Sequence, residues 1–137
     1  MLSMVNVRVE NLVKRYGTTE ALKKINLEAR SGDLVCILGP SGSGKSTLLR
    51  IIAGLLKPDE GRVYFDGVDV TNIPPWKREV GFVFQNIALF PHMTVYDNIA
   101  FGLKIRKIPK EEINKRVKEM LKLVRLEGYE KRKPHQL

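Results

Sequence analysis

Val5, Val7 and Val9 alternate with polar residues, the period of two expected of a strand buried on one face. Tyr16-Gly17-Thr18-Thr19 reads as a turn, a second strand is predicted over 21–29, and Ser31-Gly32-Asp33 as another turn. Leu34-Val35-Cys36-Ile37-Leu38 is apolar without a break, the pattern of a strand buried on both faces, as in a parallel sheet. A helix is predicted over 46–56. Leu48, Leu49, Ile51, Ile52, Leu55 and Leu56 are spread nearly all round it, which predicts burial on more than one side, and Pro58 keeps it from running on. The stretch 61–70 reads as a hairpin turning at Asp66-Gly67. Pro74-Pro75 breaks the chain, and a second two-sided strand is predicted over 80–84, ending at Gln85. A short helix is predicted over 95–103. Pro109 opens a longer one, whose Glu111 and Glu112 suit the positive end of the helix dipole. Ile113, Val117, Met120, Leu121 and Val124 share one face of it, Lys115, Arg116, Lys118, Lys122 and Arg125 lie largely off that face, and Gly128 is the predicted stop.

Between the first two-sided strand and the first helix stands Gly39-Pro40-Ser41-Gly42-Ser43-Gly44-Lys45-Ser46-Thr47, which fits the P-loop pattern G-x-x-x-x-G-K-[ST]. Gly39, Gly42 and Gly44 allow backbone angles that a side chain forbids, so the loop with Ser41 and Ser43 can wrap a phosphate. Successive N–H groups then form an anion nest, and the helix behind adds its dipole. Lys45 supplies a full charge to the β- and γ-phosphates. The Ser46 hydroxyl is a hard oxygen ligand for Mg²⁺, and Thr47 can hold an α-phosphate oxygen. Chance produces this pattern in well under about 1% of chains of this length, so a Gly/Ser-rich turn that binds nothing is the weaker reading.

The chain has 137 residues, enough for one compact domain, and 43% hydrophobic with 28% charged residues suits a globular chain rather than a disordered one. Its apolar runs are far shorter than the ~20 residues of a membrane helix, and residues 1–10 show no secretory pattern. Cys36 is the only cysteine, so no internal disulfide forms, which fits a reducing cytoplasm. The net charge of +9 is uneven: residues 104–137 hold 12 Lys or Arg against 5 Asp or Glu. Such a bias could draw nucleic acid or anionic lipid, but a solvated helix face explains it as well. No basic platform interleaved with aromatics is visible, so no nucleic acid partner is expected.

Tyr16-Gly17 upstream of the P-loop, Gln85 at the end of the next apolar strand, and the run Ala88-Leu89-Phe90-Pro91-His92-Met93-Thr94-Val95-Tyr96-Asp97-Asn98-Ile99 occur here in a specific order and spacing. The combination resembles the ATP-binding subunits of ABC transporters over essentially the whole chain. The run from Ala88 onward looks most like importers for sugars, polyamines, iron or oxyanions. The resemblance implies an α/β fold, a P-loop NTPase of the ABC ATPase type, truncated, with N-terminal β strands, a partial core sheet and the start of a helical subdomain. Residues 1–137 would then be part of a nucleotide-binding domain: 1–85 its strand-rich part with the P-loop, 86–137 the start of the helical subdomain. It further implies ATP and Mg²⁺ as cofactors, with Tyr16 stacking on adenine. Gln85 would approach Mg²⁺ and the attacking water, sharing the metal with Ser46. The segment from Ala88 to Asn98 would receive a transmembrane permease subunit, a second ATP-binding subunit would close the dimer, and the assembly would sit on the cytoplasmic face of the plasma membrane.

The family pattern continues after Leu137 into an L-S-G-G-Q signature, of which Leu137 supplies the first letter, and then into a strand ending in Asp-Glu (Walker B) and a switch histidine. Here the two apolar strands end in Gly39 and Gln85, and the histidines are His92 and His135, neither placed as a γ-phosphate sensor. The resemblance therefore implies a portion of an import ATPase that hydrolyses negligibly by itself. The alternative is a short non-catalytic nucleotide-binding or regulatory module that competes for the membrane subunit.

Overall fold

The computed structural model describes residues 5–86 and 89–137, and the chain divides into two compact units, Met1–Phe82 and Val83–Leu137. In the first unit β1 (Val7–Tyr16), β2 (Thr19–Ala29), β3 (Glu60–Phe65) and β4 (Val68–Asp69) make one antiparallel sheet in the order β2-β1-β3-β4. Val9 stands opposite both Leu27 and Val63, so one apolar row crosses three strands. Register slips around Asn11, whose backbone is left-handed (φ 47°) and whose N–H donates to Asn26 Oδ1 at 2.9 Å. Beyond that bulge the sequence neighbours Leu12 and Val13 are both fully buried. The turn at Asp66-Gly67 has positive φ at both residues (48° and 80°), as the sequence predicts.

The helix α1 (Lys45–Ile52) packs on this sheet. Leu48 and Ile51 join Val9, Leu12, Leu22, Val63 and Val70 in one core. It ends earlier than the predicted residue 56. Gly54 takes a left-handed φ of 79°, its N–H donates to Ile51 O at 3.0 Å, and Leu55 N–H donates to Arg50 O at 2.8 Å. These are the paired bonds of a Schellman stop. Burial is one-sided rather than all round, for Leu49 and Leu55 are exposed.

Two predicted strands are not strands here. The segments 34–38 and 80–84 form no regular element, and neither belongs to the four-stranded sheet of the described residues. Leu34 is 100% exposed and Leu38 and Val83 are each 86% exposed; only Ile37 of the first run packs against the core. An apolar run states what its side chains prefer, whereas a strand exists only where neighbouring backbone completes a ladder.

The second unit holds α2 (Val95–Ile105) and α3 (Lys110–Leu123), packed through Val95, Ala100, Ile113, Val117 and Leu121. Thr94 caps α2, its Oγ1 accepting the Asp97 N–H at 3.1 Å. The returning chain supplies more caps, since Val95 N–H donates to Arg132 O (2.8 Å) and Tyr96 N–H to Glu130 O (3.0 Å). Pro109 is the N-cap of α3. That helix stops at Leu123, with Arg125 in the left-handed conformation (φ 57°), ahead of the predicted stop at Gly128. Among the described residues no helix is long and apolar enough to cross a membrane.

Candidate functional site

The P-loop, 39–44, runs directly into α1, with Gly44 as its N-cap at φ 90°. A Cβ at Gly44 would lie 2.5 Å from Ala21 O and 2.9 Å from Leu22 Cδ2, so glycine alone lets the loop rest on β2. Leu48 N–H donates to Gly44 O (2.9 Å), which starts the helix at the loop's last residue. The Lys45 side chain folds back across the loop. Its ammonium donates to Gly39 O (2.7 Å), Pro40 O (2.6 Å) and Ser43 Oγ (3.2 Å). Three donors meet three acceptors, which fixes a positive charge over the loop. The first turn of α1 carries no acidic residue to offset the dipole there. Ser46 is exposed on that turn and Thr47 half-buried.

Tyr16 ends β1 opposite Thr19 and is half exposed, with Lys14 Nζ 5.8 Å from its ring centre. Thr19, Glu20, Ala21, Lys23 and Ile25 of β2 line a cavity of about 350 Å³ together with Gly42 and Ser43 of the loop. The hairpin that carries Tyr16 therefore shares a wall with the P-loop. Asp59 pins that hairpin, accepting from Arg15 N–H (2.6 Å) and Lys14 Nζ (3.0 Å). The Arg15 backbone donor and then the Lys14 ammonium hold its carboxyl below the ordinary aspartate value of 3.8. No motif in the sequence marks Asp59.

Arg78 is also missed by the sequence. It is the one buried charged residue among those described, 8% exposed. Its Nε donates to Ile73 O (2.7 Å), Nη1 to Ile51 O (3.0 Å) and Ile52 O (2.8 Å), and Nη2 to Thr71 O (2.9 Å). Burial pushes its pKa down, with Asp69 acting in the opposite sense.

Gln85 belongs to the second unit and is exposed. Ala88, the first residue of the predicted partner segment, lies outside the described residues. The remainder is held by Asn98. Its Oδ1 accepts the Phe90 N–H at 2.9 Å, and its Nδ2 donates to Phe90 O (3.2 Å) and Thr94 O (2.9 Å). Phe90 lies against Phe101, with ring centres 4.6 Å apart, yet Leu89 and Phe90 remain partly exposed. A mainly apolar cavity of about 380 Å³ adjoins Leu89, lined also by Val95, Asn98, Ile99, Met120, Val124 and Leu137 among others. Among the described residues no three His, Cys, Asp or Glu side chains gather as a metal site.

A family model described as ABC transporter matches residues 22–137. The chain belongs to the ABC transporter family. A probable sulfate/thiosulfate import ATP-binding protein CysA of Chlorella vulgaris is 54% identical over 133 residues, covering 97% of this chain and 56% of the relative. The sulfate/thiosulfate import ATP-binding protein CysA of Nocardia farcinica is 57% identical over 131 residues, covering 96% of this chain and 40% of the relative. The chain thus spans about half the length of the curated relatives it matches. Among solved structures, a dimeric ATP-binding cassette in a post-hydrolysis state bound to ADP and Pi superposes with a TM-score of 0.83 at 39% identity, over 96% of this chain and 62% of that one. A nucleotide-free cassette from an ABC transporter gives 0.76 at 34% identity, over 98% and 59%. The fold is that of an ABC ATPase P-loop domain, of which these residues are a part.

Proposed function

We propose that this chain is the ATP-binding portion of an importer ATPase that energises uptake of an oxyanion such as sulfate or thiosulfate. The observation that carries the ATP reading is the Lys45 ammonium, strapped over the glycine loop at the N-terminus of α1. Gly39, Ser41, Gly42, Ser43, Gly44 and Lys45 hold the β- and γ-phosphates, and Thr47 the α-phosphate. Ser46 offers its hydroxyl to Mg²⁺, which bound there would neutralise charge on the phosphates. Tyr16 provides a π face for adenine, at the edge of the cavity that its cross-strand partner Thr19 lines. Gln85, an uncharged amide, positions water and senses Mg²⁺ rather than taking a proton. On the same reading 1–85 is the strand-rich nucleotide-binding part and 86–137 the start of a helical subdomain. The apolar segment after Gln85 receives a permease subunit, and a second ATP-binding subunit completes the site at the inner face of the plasma membrane. The oxyanion rests on the names of the relatives, which are sulfate/thiosulfate import proteins.

Equilibrium dialysis of the purified chain with Mg-ATP tests the central claim. Saturable binding is expected, weakened roughly hundredfold in Lys45→Ala, the loss of charged hydrogen bonds worth about 3 kcal/mol. Equal binding by parent and variant would refute the assignment. The 137 residues alone turn over Mg-ATP negligibly on this reading, and an ATPase activity of the pure chain that Lys45→Ala abolishes would overturn that part.

A further inference from the structure

We infer that Arg78 is a positioning residue for the phosphate site, acting through the far end of the P-loop helix. This rests on the proposed ATP site at Lys45 and deepens it. α1 is eight residues long, a rod of about 12 Å, with the glycine loop at one end and Arg78 at the other. The carbonyls of Ile51 and Ile52 belong to the last turn, where helix oxygens lack an intrahelical partner, and Ile51 O also accepts the Gly54 N–H of the Schellman stop. One nitrogen of Arg78, Nη1, donates to both, at 3.0 and 2.8 Å, placing a full positive charge at the negative end of the dipole. The rest of the guanidinium is tied to Thr71 O and Ile73 O, on the turn after β4. The side chain is therefore a staple from the P-loop helix to the turn after β4, and Arg78 is 8% exposed, so a lost bond there is costly.

Two further features show that the staple is built in. Gly54 comes so close that a Cβ there would lie 2.6 Å from Arg78 Nε, and its φ of 79° already restricts the position to glycine. The backbone enters Arg78 from the short 3-10 helix Pro75–Lys77 and leaves through Glu79 in the left-handed conformation (φ 52°), so the side chain is presented from a fixed turn. A buried charge that met only core needs would be replaceable by an apolar side chain of like volume. One that holds a helix in register is not, because α1 can then slide and tilt, moving Gly44 and Lys45 against β2.

The test compares Arg78→Met, Arg78→Lys and Gly54→Ala with Val63→Ala in the full chain. Val63 is fully buried in the same core; its N–H bonds Thr71 Oγ1 (2.9 Å) rather than the Thr71 carbonyl that accepts from Arg78, and Val63→Ala keeps that backbone bond. Each variant is measured for melting temperature, Mg-ATP affinity at a temperature where all are folded, and nucleotide-free hydrogen exchange of the amides of Lys45–Ile52. Arg78→Met and Gly54→Ala are expected to weaken Mg-ATP binding about three- to tenfold and to speed exchange across α1. Arg78→Lys, which keeps a cation for the two helix carbonyls, should recover part of both. Val63→Ala should melt lower with affinity and α1 exchange unchanged. The inference is overturned if Arg78→Met behaves like Val63→Ala. Should the parent chain bind no nucleotide at all, the ATP reading fails, and α1 exchange in Arg78→Met still decides whether the staple exists.

Discussion

β1 and the segment 34–38 make the instructive pair. The second is the more apolar, five residues without a break, while β1 mixes Val9, Leu12 and Val13 with charged and polar neighbours. Yet β1 is the centre of the fold, laddered to β2 on one side and β3 on the other, and 34–38 joins none of the four strands. Leu12 is fully buried and Leu34 fully exposed. Apolar content ranks what a residue gains by burial. The presence of a neighbouring backbone decides whether the burial happens. β1 finds β2 across the turn at Gly17-Thr18, and β3 only after the chain has passed through the P-loop and α1.

The largest effect that can break this comparison is a pair of truncations. Leu12→Ala should cost about 2–5 kcal/mol in a urea titration, whereas Leu34→Ala should stay within about 0.5 kcal/mol. Equal costs would mean that 34–38 is as well packed as β1. Next in size is Gly44→Ala. Its new Cβ falls 2.5 Å from the Ala21 carbonyl at a φ of 90°, so about 1–3 kcal/mol of strain is expected, with Mg-ATP binding lost alongside. An unchanged affinity would show that the loop does not need its seat on β2.

The same contrast explains what the sequence made legible. The P-loop, the Asp66-Gly67 turn, both helices of the second unit and the strand pattern near Val7 are local signals, each carried by residues a few positions apart. Helices close their hydrogen bonds within themselves, so α2 and α3 were readable to within a few residues. The early stop of α1 was hidden because Gly54 reads as one glycine in an apolar run; its left-handed turn beside Arg78 becomes visible only in three dimensions. Arg78 and Asp59 were hidden for the same reason, since their partners at Ile51, Ile52 and Arg15 lie 26 to 44 residues away. The segments 34–38 and 80–84 look like two-sided strands in the sequence because apolar side chains alone do not say where a ladder would come from.

A smaller effect sharpens the comparison from the helical side. Thr94→Ala removes the α2 cap, and about 1 kcal/mol should be lost, read as a lowered urea midpoint of the helical signal. Because Val95 and Tyr96 also receive the Arg132 and Glu130 carbonyls, the helix should persist rather than unfold, and complete loss of α2 would show that the returning chain contributes nothing.

The smallest effect is one of pH, at the same cap. The Lys104 ammonium (2.7 Å), and then the Thr94 hydroxyl (2.7 Å), hold the Asp97 carboxyl below the ordinary aspartate value of 3.8. The folded state therefore binds its proton less readily than the unfolded chain. The stability this supplies is complete above 3.8 and is lost as the pH falls through the lower folded value. Asp97 and Lys104 are partly exposed, so solvent screening keeps the contribution small. Melting curves of parent and Asp97→Asn from about pH 6 to about pH 3 should converge at the acid end, with the parent higher only where its carboxylate is ionised. A gap that stays constant down to pH 3 would mean that Asp97 acts by shape, and that α2, unlike β1, owes its place to nothing charged.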